Sequence, residues 1–139
     1  MQIANIAAVV VVDVANVMGA RADGWWRDRA GAALRLCREV AELAERPAAA
    51  VHAGGWVLVL EGQARAAAAA FAEAEDDSGR LVRVVSAPGS GDDAIVGVVG
   101  EAVARGDSCL VVTADRELRR RCEELTASVA GPGWLLHIL

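Results

Sequence analysis

The chain of 139 residues is long enough for one compact domain and too short for two domains of ordinary size. Its net charge of -5 opposes nonspecific binding to polyanions, so a nucleic-acid partner would require metal ions and a local arginine patch. Although 55% of the residues are hydrophobic, charged side chains interrupt each apolar stretch before it reaches membrane-spanning length, and no basic, apolar leader opens the chain. We expect a single domain over residues 1–139, located in the cytoplasm.

The first part of the chain predicts a strand followed by a long helix. Residues 7–12 are continuously apolar and end at Asp13, which is typical of a central strand buried on both faces. After a glycine-containing loop, Asp23 is a candidate cap for a helix that continues to about Arg46. Pro47 is expected to end that helix.

The middle of the chain repeats the alternation. Residues 56–60 predict a second buried strand, followed directly by Glu61. The alanine tract over residues 66–74 favours a helix that closes near residues 76–79. Residues 81–85 predict the third strand.

The last part supplies the remaining elements of the sheet. A helix is predicted to begin at Asp92 and Asp93 and to end at Gly106, and residues 109–113 predict the fourth strand. Asp115 opens a short, arginine-rich helix. Residues 128–130 predict a short fifth strand, and residues 134–139 fit either an edge strand or a docked tail.

Alternating strands and helices predict a three-layer α/β domain with a mainly parallel sheet. In the common strand order 3-2-1-4-5, the first and fourth strands are neighbours, and a crevice opens where their carboxyl ends meet. Asp13 and Asp115 would flank that crevice, with Glu61, Asp92 and Asp93 at the same edge. Magnesium and manganese prefer oxygen ligands of this kind. The pattern therefore predicts a metal site that faces a phosphate, where metal-activated water cleaves a phosphodiester.

Four short motifs follow these strands in order: Val12-Asp13-Val14-Ala15-Asn16-Val17, Leu60-Glu61-Gly62, Gly91-Asp92-Asp93-Ala94-Ile95 and Val112-Thr113-Ala114-Asp115-Arg116-Glu117-Leu118. Together they resemble the ordered motifs of the NYN branch of PIN-like nuclease domains and span nearly the whole chain. The resemblance implies a PIN-like fold and magnesium- or manganese-dependent cleavage, most often of RNA. It implies that Asp13, Asp92 and Asp115 are catalytic metal ligands, that Asp93 and Glu61 are further ligands, and that Asn16 lies near the metal or the scissile phosphate.

Two positions depart from the family pattern. Glu61 stands where the family usually has Asp before Gly, and Val14 stands where it usually has Gly. Val14 leaves less room for a substrate to approach the backbone. Together with the acidic net charge, it favours an alternative in which a PIN-like module has lost turnover and binds RNA or a protein.

Basic and aromatic residues supply candidates for substrate binding. Trp25, Arg27 and Arg29 lie after the first strand, where an indole can stack on a base and arginine can contact phosphate. Trp26 adjoins Trp25, and one of the two is expected to belong to the core. Arg116 follows Asp115 directly and is the candidate phosphate contact of the arginine-rich helix. The other arginines of that helix are expected to face solvent and to pair with Glu123 and Glu124.

Other classes of α/β protein fit less well. A two-component receiver domain requires a lysine, and the chain has none. A haloacid-dehalogenase phosphatase requires a second aspartate at the position of Ala15, and the loops of P-loop and dinucleotide-binding proteins are absent. Cys37, Cys109 and Cys122 are far apart and predict neither a disulfide nor a zinc site. RNA is the expected partner, a membrane is not, a homo-oligomer is compatible with the sequence, and no protein partner is indicated.

Overall fold

Five parallel strands form the central sheet, with helices on both of its faces. The computed structural model describes residues 4–46, 51–74 and 82–139. Pro47, the predicted helix end at residues 76–79 and the predicted strand start at residue 81 lie outside these ranges.

The order of the strands places β1 in the middle of the sheet. The strands are β1 (Ala4–Asp13), β2 (Val51–Leu60), β3 (Val82–Ser86), β4 (Cys109–Val112) and β5 (Ser128–Ala130). They are arranged β3-β2-β1-β4-β5, and each neighbouring pair is parallel. The predicted α/β class and strand order are therefore confirmed. The chain reverses its direction of travel across the sheet between β1 and β4, so their carboxyl ends border the expected crevice.

Helices connect the strands and cover the sheet. They are α1 (Val14–Gly19), α2 (Arg29–Glu45), α3 (Ala67–Ala74), α4 (Gly91–Ala104), α5 (Arg116–Glu124) and α6 (Pro132–Ile138). Two 3₁₀ turns lie at Trp25–Arg27 and Gly62–Ala66. Within the described ranges, no helix has both the length and the apolar character needed to cross a bilayer.

The valines of β1 divide the interior into two apolar clusters, one on each face of the sheet. Val10 and Val12 pack with Leu36 and Val40 of α2 on one face. Val11 packs on the other face, together with buried residues of α4 and α5. Side chains alternate between the faces of a strand, so a continuous valine run fills both clusters at once.

Three helix starts differ from the predicted ones because side chains select different caps. A helix, α1, follows Asp13 directly where a loop was predicted, and the Asp13 carboxylate caps it. Asp28, rather than Asp23, caps α2 by accepting a hydrogen bond from the Gly31 N–H at 2.9 Å. Ser90 caps α4, which places Asp92 in the first turn of that helix.

The carboxyl-terminal residues form α6, so the edge-strand alternative was wrong and the docked-tail alternative was correct. Leu135 is fully buried in the cluster that also contains Val10 and Val12. Pro132 lies in the first turn, where its fixed φ favours a helix and its missing N–H is not needed.

Candidate functional site

Asp13 is a buried carboxylate at the carboxyl end of the central strand. It is the last residue of β1 and only 7% exposed. Its Oδ2 accepts a hydrogen bond from the Thr113 hydroxyl at 2.9 Å, and its Oδ1 accepts one from the Asn16 N–H at 3.4 Å. Thr113 itself is fully buried. A charged group in this position loses its hydration, so these two donors compensate for part of the loss.

The surroundings of Asp13 favour its neutral form. Burial raises the pKa of its carboxyl from 3.8 to about 6, although the hydrogen bonds from Thr113 and Asn16 act in the opposite direction. The negative charges of Asp92 and Glu61 raise the pKa further. Carboxylates from three separate strand–helix connections therefore act on one another at this edge.

Asp92 belongs to the same acidic group. It is half-buried in the first turn of α4. Burial raises the pKa of its carboxyl, Asp115 and Glu61 raise it further, and the Arg121 guanidinium opposes them. We call Asp13, Glu61, Asp92 and Asp115 the carboxylate group.

Glu61 positions the amino terminus of α4. Its Oε2 accepts a hydrogen bond from the Gly91 N–H at 2.5 Å, so the residue directly after β2 holds the helix that follows β3. A Cβ atom at position 91 would lie 2.5 Å from the same oxygen. Glycine at this position therefore permits the close approach of the Glu61 carboxylate to the helix backbone.

A hydrogen-bond network joins the ends of β1 and β4. The Thr113 hydroxyl donates to Asp13 and accepts from the Asp115 N–H at 3.2 Å. The Asn16 Oδ1 accepts from the Ala114 N–H at 2.8 Å. Asp115 is exposed and caps α5 by accepting from the Leu118 N–H at 2.9 Å. Thr113 and Asn16 thus hold the two loops that carry Asp13 and Asp115.

The sequence reasoning did not identify Thr113 as a site residue. The available signal was a hydroxyl at the end of a buried apolar strand, two residues before a candidate ligand. That signal is weak, because threonine is common in strands for its shape alone. The hydrogen bond to Asp13 spans 100 positions of the chain and depends on β1 lying beside β4.

Asp93 is oriented differently from the carboxylate group. Its side chain is 74% exposed and forms an ion pair with Arg121 of α5 at 2.9 Å. Arg120 pairs with Glu117 and with Glu124, so the predicted pairing of this helix surface is present for Glu124. Arg116 is exposed, and it forms no ion pair with any residue in the described ranges.

The two adjacent tryptophans have different environments. Trp25 packs against the core cluster of α2, whereas Trp26 is 55% exposed. Their rings meet edge to face, with centroids 6.0 Å apart. The Arg27 guanidinium lies 5.7 Å from the Trp26 ring centroid, and the Arg29 guanidinium lies 5.1 Å from that of Trp25. The four side chains form two arginine–tryptophan pairs.

A divalent cation fits the carboxylate group only if water supplies some of its ligands. Among the described residues, no three His, Cys, Asp or Glu side chains converge closely enough to hold one ion. Magnesium usually retains several waters and uses one or two protein carboxylates together with substrate phosphate. Asp13 and Asp92 suit such a site, because burial and neighbouring negative charges raise the pKa of both carboxyls. A bound cation would stabilise their charged forms against both causes.

Comparisons with known proteins do not assign the chain to a group. No protein-family model matches it, and no curated protein matches it significantly. The resemblance to NYN domains stays a prediction that depends on the four motifs.

Proposed function

We propose that the protein is a metal-dependent nuclease that hydrolyses phosphodiester bonds, with RNA as the main substrate. The observation that carries the proposal is the buried Asp13 at the switch point between β1 and β4, with Glu61 and Asp92 close enough to raise its pKa. Burial of an acid among acids is unfavourable for folding. A cation bound to these carboxylates, with a substrate phosphate as a further ligand, would offset their repulsion. Carboxyls with a shifted pKa in a crevice are common at functional sites.

In this proposal, Asp13 and Asp92 hold magnesium or manganese. The ion, when bound, lowers the pKa of a water nucleophile and offsets the charge that develops on the phosphate. Thr113 fixes the Asp13 carboxylate through Oδ2. Asp115 places a further negative charge beside Asp92, and Glu61 keeps the amino terminus of α4 against the group.

Positive charge near the site supports the binding of a phosphate. Arg116 opens α5 directly after Asp115 and is free of ion pairs within the described part of the chain. The amino termini of α4 and α5 follow the carboxyl ends of β3 and β4, so their helix dipoles are positive at this edge. Both effects offset the repulsion expected from a net charge of -5.

The direct test is cleavage of labelled single-stranded and structured RNA and DNA in manganese, magnesium or chelator. We expect the wild-type protein to cleave RNA with either metal and to be inactive in chelator. Asp13→Asn should abolish cleavage. Asp107→Asn is the matched control, because Asp107 pairs with Arg105 on the surface before β4, at the opposite end of the sheet. Undiminished cleavage by Asp13→Asn would contradict the proposal.

One observation favours a second function, a noncatalytic module that binds RNA. Glu61 and Asp115 each use a carboxylate oxygen to accept a backbone N–H. In this alternative the acids serve mainly to cap helices. RNA binding by the wild-type protein without cleavage of any substrate, in either metal, would support it over the nuclease.

A further inference from the structure

A groove opens beside the carboxylate group, between α1, the first turn of α2 and the turn that follows β2. Its volume is about 320 Å³, and it is lined by Ala15, Met18, Arg29, Glu61, Gln63 and Gly89 among others. This volume is at the lower end of the roughly 300–1,000 Å³ that is typical of small-molecule sites. The groove therefore has room for one nucleotide-sized unit and is too small for a helix or a duplex.

The groove adjoins the carboxylate group at two points. Ala15 lies two residues after Asp13, on the helix that Asp13 caps. Glu61 lines the groove and also contributes negative charge to the surroundings of both Asp13 and Asp92. A polymer with one phosphate at the carboxylate group would therefore have its next unit within reach of the groove.

Arg29 gives the groove a fixed positive charge. Its guanidinium lies over the Trp25 ring at 5.1 Å, and Trp25 packs against the core. Stacking of this kind restrains a flexible arginine while leaving its N–H groups free to donate. Among the residues described, no carboxylate pairs with Arg29. Its charge is available to a ligand.

The other walls differ in character. Met18 and Ala15 provide apolar surface on one side, and the exposed Gln63 provides an amide donor and acceptor on the other. A nucleotide unit matches this combination, because it joins an anionic phosphate to an apolar base face whose edge forms hydrogen bonds. Glu61 disfavours a ligand with several closely spaced negative charges, such as an acidic peptide.

We propose that this groove binds the nucleotide next to the scissile phosphate of a single-stranded nucleic acid, with Arg29 contacting that nucleotide's phosphate. The inference rests on the proposed function, which defines the scissile phosphate. It assigns a specific contact to Arg29, one of the two arginines, Arg27 and Arg29, that the sequence offered at this point of the chain.

Arg29→Ala tests the contact in two assays with the chain of 139 residues. One measures binding of a fluorescent single-stranded RNA hexamer in calcium, and the other measures cleavage in manganese. We expect the Kd and KM to rise about tenfold, the loss of one charged contact, while kcat stays within about twofold. The slope of log K against log salt should become shallower by about 0.7, the value for one phosphate on a single strand. Arg29→Lys should restore the salt slope and only part of the affinity.

The matched control is Arg38→Ala, which removes an exposed arginine from the same helix outside the groove. It should leave Kd, KM and salt slope unchanged. An equal effect of Arg38→Ala would show that net charge, rather than the groove, determines binding, and would overturn the inference. Melting temperatures of both variants separate loss of contact from loss of fold.

A set of hexamers that each carry one neutral methylphosphonate locates the contacted phosphate. Arg29→Ala should lose its effect with the hexamer whose neutral linkage adjoins the cleavage point, and keep it with the others, as in a double-mutant cycle. Loss of the effect at a distant linkage, or at none, would overturn the assignment.

The outcomes separate the two proposals. Cleavage by the wild type with an unchanged KM in Arg29→Ala would overturn the groove and leave the nuclease intact. Binding that depends on Arg29 without any cleavage would overturn the nuclease and support the groove as a binding site. Neither binding nor cleavage would overturn both.

Discussion

Asp13 shows how one buried carboxyl group can oppose folding. Its carboxyl is 7% exposed, and its pKa is raised from 3.8 to about 6 by burial and by the charges of Asp92 and Glu61. A carboxyl whose pKa is higher in the folded state binds more protons folded than unfolded. The folded state is therefore destabilised once the pH exceeds the unfolded value, and the whole penalty is present above about pH 6.

Replacing Asp13 with Asn should stabilise the metal-free protein at pH 7. The difference between a pKa of 3.8 and one of about 6 corresponds to at most roughly 3 kcal/mol of unfolding free energy. Asparagine retains one oxygen, which can accept from Thr113, but its amide nitrogen cannot accept the Asn16 N–H, so the loss of that hydrogen bond should offset about 1 kcal/mol of the gain. Denaturant unfolding in chelator measures it.

The pH dependence gives this prediction its control. The difference in unfolding free energy between Asp13→Asn and wild type should shrink as the pH falls from 7 to 4, because Asp13 becomes protonated in the folded state and begins to be protonated in the unfolded state. Effects of titrating groups that do not interact with Asp13 cancel in the difference. A gain that does not change with pH would mean that the charge of Asp13 is not its cause.

At the scale of elements, the start of α4 depends on a contact from another part of the chain. Glu61 directly follows β2, yet its carboxylate accepts the Gly91 N–H. Ser90 caps the same helix locally by accepting the Asp93 N–H at 3.1 Å. Two acceptors thus satisfy the first turn of α4 and determine where Asp92 lies relative to Asp13.

Gly91→Ala and Gly97→Ala should have effects of opposite sign. A Cβ at position 91 would lie 2.5 Å from the Glu61 Oε2, so the carboxylate at the end of this flexible side chain must move and its hydrogen bond is lost, at a cost of about 0.5–1.5 kcal/mol. A Cβ at position 97, in the middle of α4, meets nothing within 4 Å. Alanine there should stabilise the protein by up to about 1 kcal/mol through helix propensity. Thermal or chemical denaturation measures both variants.

The Glu61→Ala background tests the cause. Without the Glu61 carboxylate, Gly91→Ala should no longer destabilise the protein, because no oxygen occupies the space that the new methyl group needs. If Gly91→Ala destabilised the Glu61→Ala variant as much as the wild type, contact with the Glu61 carboxylate would not be the cause.

At the scale of the whole molecule, the sheet order gathers acids from different parts of a chain that is already acidic. The net charge is -5, and Asp13, Glu61, Asp92 and Asp115 meet at one edge. Their repulsion is part of the free energy of the folded state. A divalent cation bound only by the folded protein would stabilise it in proportion to its occupancy.

Manganese and magnesium should therefore raise the melting temperature of the wild-type protein. At a concentration about 100 times the Kd, the gain is about 2.7 kcal/mol of unfolding free energy. Asp13→Asn and Asp92→Asn should lose most of this gain, whereas Asp107→Asn should keep it. Sodium chloride at matched ionic strength controls for general screening. An equal metal response in all variants would contradict a metal site at Asp13 and Asp92, independently of any nuclease assay.

The sequence by itself determined the class of fold and the edge at which the acids lie. Valine runs of strand length, separated by helical segments, have few ways to bury both faces, and a parallel sheet with right-handed crossovers is the common one. The sequence also placed β1 beside β4, and hence Asp13 near Asp115, through the usual order of such sheets.

Only the tertiary structure decided which side chains meet. The cap of α2 was assigned to Asp23 instead of Asp28, because the choice depends on where the helix packs. Thr113 reaches Asp13 across 100 positions, and Arg29, rather than Arg27, lines the groove. The pattern of hydrophobic residues in the sequence predicts which face of a segment is buried. Hydrogen bonds between distant loops depend on distances of a few tenths of an ångström, which are set when the segments pack together.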